Sequence, residues 1–180
     1  MSKYCLLHNV GPKKYNSHVI NSNYNPCEQI QRYDGVLTFD GIYRNVLENE
    51  HILENREIIF FIMGDFIGKD NTFDKGMPYE KYCSWDELNY LKEKYNIKFG
   101  WHTWSHRDLT ILPESEIIRE CTPSFETDLF AYPYGRFDNR VINILKKLNY
   151  KKAFSVNAGD NSDFQILRPY LHWGNNEQFI

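Results

Sequence analysis

The chain has no apolar run approaching the roughly 18 residues that a membrane-spanning helix needs. Its start, MSKYCLLHNVGPKKY, carries only the short patch YCLL, with no small-residue cleavage site behind it. Neither a membrane span nor a secretory leader is expected. No sign of charge dominates: the formal net charge is −3 and the basic residues are dispersed. That argues against a surface for nucleic acid or anionic membrane. The four cysteines, Cys5, Cys27, Cys83 and Cys121, form no Cys-x-x-Cys pair, so reduced structural thiols in a cytoplasmic protein are the expectation. Internal repeats and low-complexity tracts are also missing.

What is present suffices to fold. With 180 residues, 42% of them hydrophobic and 16% aromatic, the chain reads as a single domain over 1–180 with a real core. Residues 1–34 read as an N-terminal strand and a polar loop, the loop running from about Val10 to Arg32, and 35–172 as the core. GKDNTFDKGMPYEKY (68–82) reads as a second irregular stretch.

Between these loops, short runs rich in β-branched and aromatic residues are bounded by turn residues, as buried strands are. They are GVLTFD (35–40), EIIFFIMG (57–64), IKFGW (97–101), DLFAYPY (128–134) and KKAFSV (151–156). Two intervening segments carry helix signatures. SWDELNYLKEKYN pairs Ser84 with Glu87 as a capping box and spaces Trp85, Leu88, Leu91 and Tyr95 along one face. DNRVINILKKLNY offers Asp138 as a cap and places Val141, Ile144, Leu145 and Leu148 on one face. YRNVLENEHILEN and PESEIIREC are weaker helix candidates. Strand–helix alternation argues for an α/β fold with a parallel sheet, open or closed into a barrel. In either case function gathers at the carboxyl ends of the strands. Asp40, His102 and Tyr134 fall at or just after such ends.

His102 and His106, in FGWHTWSHRDLT, stand four positions apart. Neutral imidazole is a common ligand for divalent metals, and the hydroxyls of Thr103 and Ser105 can bond the loop around the pair. No glutamate follows His102, so this is not the His-Glu-x-x-His pattern of metalloproteases. Two histidines and a carboxylate would give the open, three-ligand arrangement of a catalytic zinc site. Asp40 is the best third group, because a carboxylate ending an apolar strand is costly unless paired, ligated or reached by solvent. In FAYPYGRFD (130–138), the Tyr-Pro-Tyr-Gly turn combines a fixed φ at Pro133 with the freedom of Gly135. Read functionally, it is a rigid loop whose N–H groups and aromatics line a pocket and stabilise an oxyanion.

The three elements in their order, LTFDGIYRN, FGWHTWSHRDLT and FAYPYGRFDNRVINILKKLNYKKAFSV, resemble the NodB-type polysaccharide deacetylases, carbohydrate esterase family four. The resemblance covers about residues 35 to 170. It implies a distorted (β/α) barrel of the NodB homology type, which need not be complete, and a divalent metal, usually zinc. It further implies removal of an acyl group, commonly acetyl, from an amino sugar, with a carbohydrate as partner. His102 and His106 match the family's metal histidines, and Tyr134 matches its oxyanion-loop tyrosine. The family's Asp-Asp pair is a lone aspartate here, since Gly41 follows Asp40. Substitution at constant length would make Asp40 the catalytic base; loss of one residue would make it the metal ligand. Asp65 is a stand-in to consider for the missing carboxylate. Arg168, in ILRPYLHWG, can supply a charge near the base in place of the arginine that many members carry before Pro-Tyr-Gly. The late family histidine has His172 as its candidate, and His8 stands where some branches have a Tyr-His start. Trp101, Trp104 and Tyr134 are candidates for stacking on sugar rings. Two readings follow: a metal-dependent deacetylase, and a family member that keeps the fold as a carbohydrate-binding protein.

Overall fold

A computed structural model of the protein describes residues 3–11, 24–72, 79–156 and 158–171. Seven parallel strands form the main sheet in the order β1, β4, β5, β6, β7, β8, β9. They are β1 (Tyr4–Leu7), β4 (Val36–Asp40), β5 (Ile58–Ile62), β6 (Ile97–Trp101), β7 (Leu129–Ala131), β8 (Lys152–Ser155) and β9 (Ile166–Leu167). A separate parallel pair, β2 (Asn9–Gly11) and β3 (Tyr24–Pro26), flanks the start of the chain. Beyond β9, Tyr170 forms a single parallel bridge with Leu6 of β1, and the Leu6 N–H donates to Pro169 O at 2.9 Å. The sheet thus curls into a nearly closed barrel with one thin seam, the distorted NodB-type (β/α) barrel.

The helices lie in the crossovers: α1 (Cys27–Arg32), α2 (Arg44–Glu48), α3 (Trp85–Lys94), α4 (Glu114–Cys121) and α5 (Asn139–Lys147). The expected caps are present. Ser84 and Glu87 form the reciprocal capping box, and the Asp138 carboxylate accepts from the Val141 N–H at 2.9 Å. Both weaker helix candidates are helices. The stretch 10–32 is not wholly loop: it holds β3 and α1, whose Ile30 is completely buried. The Arg56 guanidinium stabilises the end of α1 by donating to Ile30 O and Tyr33 O, at 3.1 and 3.2 Å.

Alternation along the strands divides the core. Leu37 and Phe39 of β4 and Ile58, Phe60 and Ile62 of β5 belong to the large core packed under the helices. Val36, Ile59, Phe61, Ala131, Phe154 and Ile166 form a smaller cluster on the opposite, inner face. Thr38 and Asp40 share the inner parity of Val36, as Arg168 shares that of Ile166. The inner file therefore turns from apolar to polar at the carboxyl rim, which is where the candidate site lies.

Candidate active site

Asp40 and Arg168 meet inside the barrel across 128 positions of sequence. The Arg168 guanidinium donates to both Asp40 oxygens, at 2.6 and 2.7 Å, and to the Thr38 hydroxyl at 3.1 Å. Arg168 is fully buried, Asp40 is 6% exposed, and the guanidinium also lies 4.8 Å from the centre of the Phe61 ring. Such a two-pronged pair is strong where water is excluded. Burial alone would raise the Asp40 pKa; Arg168, and after it His102, overcome this and hold the carboxyl well below the usual carboxylate range. Arg168 therefore holds the carboxylate rather than presenting itself to a sugar.

His102 is buried directly after β6. Its Nδ1 lies 2.8 Å from the backbone oxygen of Ala131, an acceptor, so Nδ1 carries the proton. That leaves the Nε2 lone pair facing inward, 3.5 Å from Asp40 Oδ2. The His106 ring stands 4.9 Å from the His102 ring, centre to centre. Burial lowers the pKa of both rings, with His106 brought to about 3. Both are neutral at pH 7, the form that ligates metal. Asp40 opposes the shift at His102, whereas His102 adds to it at His106.

The loop between the histidines is locally strained. Thr103 and His106 take positive φ angles of 68° and 55°, costly for residues with a Cβ and kept only where surrounding contacts impose them. The Thr103 hydroxyl accepts from the His106 N–H at 3.0 Å. Glu120 of α4, which sequence reasoning passed over, accepts from the Trp104 and Ser105 N–H groups at 3.0 and 2.9 Å and from the Ser105 hydroxyl at 2.8 Å. No periodic or motif signal distinguishes it; only its complete burial does.

Tyr134 stands at the apex of the Pro133–Gly135 turn with φ 58°. It is 57% exposed and its ring lies 4.7 Å from that of His106. The turn's next two N–H groups are spent internally, Gly135 on Tyr132 O and Arg136 on Pro133 O. Tyr134 therefore supplies the turn's candidate oxyanion donor. Gly135 is required here: at φ 65°, a Cβ would lie 2.9 Å from the Val156 nitrogen.

These groups converge on a cavity of about 320 Å³ whose lining includes Asp40, His102, His106, Tyr134, His8 and Met63. His8 was not singled out as a site residue, yet its Nδ1 is shielded from solvent without a hydrogen-bond partner. Its ring stacks on Tyr170 at 5.9 Å, and burial brings its pKa down to about 4. Other expected residues lie elsewhere. Trp104 packs on Gly64 and against Trp101, its indole N–H donating to Thr122 O at 2.9 Å, outside this cavity. Trp101 is core, completely buried. Asp65 is exposed and does not line the cavity. His172 lies outside the described residues.

Gly41 extends the chain at φ 61°, its N–H donating to Phe61 O at 3.1 Å. A Cβ there would point at Met63 Cε, 2.4 Å away, and Tyr82 Cε1, 2.9 Å away. Met63 and the stacked Tyr43–Tyr82 pair, joined hydroxyl to hydroxyl at 2.8 Å, thus fill the space beside Asp40 that a second aspartate would enter. Among the described residues, no three His, Cys, Asp or Glu side chains form a ready-made metal cage. The donor chemistry still suits a divalent ion at the two imidazoles, with the correct tautomer set on His102 and a carboxylate alongside.

A parallel barrel with a polar cleft at the carboxyl ends of its strands places the molecule in the (β/α)-barrel class, whose sites are built there. The family model described as polysaccharide deacetylase matches residues 34–153, and the chain belongs to that family. A search of curated protein sequences finds no significant match. Among solved structures, the Streptococcus pyogenes deacetylase PplD, in complex with acetate, is 16% identical with a TM-score of 0.74, covering 94% of this chain and 91% of its own. IcaB from Ammonifex degensii is 16% identical with a TM-score of 0.70, covering 96% and 92%. A de-N-acetylase from Aggregatibacter actinomycetemcomitans is 11% identical with a TM-score of 0.68, covering 94% and 93%. At these identities the likeness is one of fold. Among the described residues, no helix is long and apolar enough to cross a membrane.

Proposed function

We propose that the protein is a metal-dependent hydrolase that removes an N-acyl group, acetyl first among them, from an amino sugar of a polysaccharide or its precursor. One observation carries the reading: two neutral, inward-facing imidazoles share a cavity with an ionised carboxylate whose orientation a buried arginine fixes. His102 and His106 would hold the ion, zinc by preference. When bound, it supplies Lewis-acid polarisation of the amide carbonyl and a more acidic water.

Asp40 is the proposed general base. Both its oxygens are engaged by Arg168, which keeps it ionised and aimed at the cavity, and each oxygen retains a lone pair for a water proton. The depressed pKa makes it a weak base towards free water, so its usefulness depends on acidification of that water. The Tyr134 N–H would face the oxyanion of the tetrahedral intermediate. The exposed Tyr134 ring offers an aromatic face to a sugar.

The test is metal content of the purified protein together with acetate release from a panel of N-acetylated amino-sugar oligomers, using His102→Ala and His106→Ala as controls. Release that needs zinc and both histidines supports the reading. A protein that takes up no metal and releases nothing from the panel overturns it, and sugar binding without turnover would then favour the non-catalytic alternative motivated by the lost second aspartate.

A further inference from the structure

The loop that carries the two histidines does not hold itself. Between Thr103 and His106, both in left-handed conformation, two successive N–H groups, on Trp104 and Ser105, point to one oxygen of the Glu120 carboxylate. The Ser105 hydroxyl donates to the other oxygen. Glu120 occupies the end of α4 and is completely buried, where an ionised carboxylate persists only if its hydrogen bonds are supplied. The Arg119 contact at 3.1 Å comes from a guanidinium that is 68% exposed and contributes little against that cost. The main satisfaction comes from the histidine loop itself.

Two further bonds anchor the same region without using this carboxylate. The Trp101 indole donates to the Glu120 backbone oxygen at 2.8 Å, and the Trp104 indole donates to Thr122 O at 2.9 Å. These would keep the loop near α4 in any Glu120 variant. What they cannot replace is an anion that gathers two adjacent N–H groups and so makes the left-handed turn at Thr103 and His106 preferable to an ordinary one. His106, at the far end of the turn, takes its direction from that choice.

We propose that Glu120 is a positioning residue for His102 and His106, acting through the backbone of the loop between them. The proposal rests on the reading of the two histidines as ligands, and the experiment separates the two claims. Imidazole nitrogen spectra of the metal-free protein report tautomer and ring environment, and a zinc titration against a competing chelator reports affinity. Glu120→Gln keeps an oxygen for the two N–H groups and should stay close to the natural protein in both. Glu120→Ala should disturb the His102 and His106 ring signals and weaken zinc binding by about 10- to 100-fold, the range for loss of a group that orients metal ligands. Unchanged ring signals and zinc affinity in Glu120→Ala would overturn the proposal. Should that variant fail to fold, Ser105→Ala removes only the hydroxyl bond; a smaller change in the same direction supports the role and no change overturns it. A natural protein that binds no zinc overturns the ligand reading, and the ring spectra still decide the role of Glu120.

Discussion

The two sides of the site are built by opposite means. The histidine side is a short loop, 102 to 106, forced into a strained shape and clamped by a helix some fifteen residues away. The carboxylate side is the unstrained end of a regular strand, and its chemistry is set by one arginine 128 positions on. Geometry is therefore bought locally at the histidines, while charge is arranged at long range at Asp40. Damage to the first should show in metal binding, and damage to the second in stability and turnover.

The largest effect expected is on the carboxylate side. Arg168→Ala leaves a buried carboxylate without its partner and should cost about 3–5 kcal/mol of stability, read from chemical denaturation. A loss under 1 kcal/mol would mean that water replaces the guanidinium. On the histidine side, His106→Ala should leave the denaturation midpoint of the metal-free protein nearly unchanged while removing most zinc affinity by calorimetry. A variant that bound zinc as before would place the ion elsewhere.

Acidification sharpens the contrast. His106 and His8 have folded pKa values of about 3 and about 4, both below the ordinary 6.5. The unfolded chain then binds more protons than the folded one, so stability is full above about pH 6.5 and falls as the pH drops towards 4. Asp40, whose pKa is also depressed, adds its loss only below the usual carboxylate range. Thermal midpoints of the metal-free protein should decline between pH 7 and pH 5, and His106→Gln should flatten part of the slope. An unaltered slope would remove His106 from the cause.

Gly41→Asp joins the two sides and should have a smaller effect. The positive φ and the contact with Met63 Cε at 2.4 Å predict a cost of about 1–2 kcal/mol, with no gain in zinc affinity. Combining it with Met63→Ala should clear the space and raise zinc affinity above that of the single variant. A gain from Gly41→Asp alone would show that Met63 yields readily.

The legibility of the molecule follows the same division. Strands β4 to β8, the capping box at Ser84 and the cap at Asp138 were readable because apolar alternation and cap chemistry are local. The histidine pair and the Pro-Tyr-Gly turn were readable as contiguous motifs. Arg168 was expected near the base, but its grip on Asp40 depends on two strands made neighbours by barrel closure. Glu120 and His8 carry no motif, since their importance comes from burial against residues distant in sequence. Trp104 looked like a sugar-binding ring beside the histidines, but the bare face of Gly64 draws it into packing. The short helix α1 was hidden in a polar stretch because one buried isoleucine and one distant arginine hold it.

The central claim, that lone Asp40 serves as base while the histidines hold the ion, is tested most directly by Asp40→Asn, with zinc affinity and acetate release measured on the same preparation. The account predicts zinc binding close to that of the natural protein and turnover lower by about 100-fold or more, the scale of a lost general base. Loss of zinc binding would make Asp40 a ligand instead, and undiminished turnover would contradict the account outright.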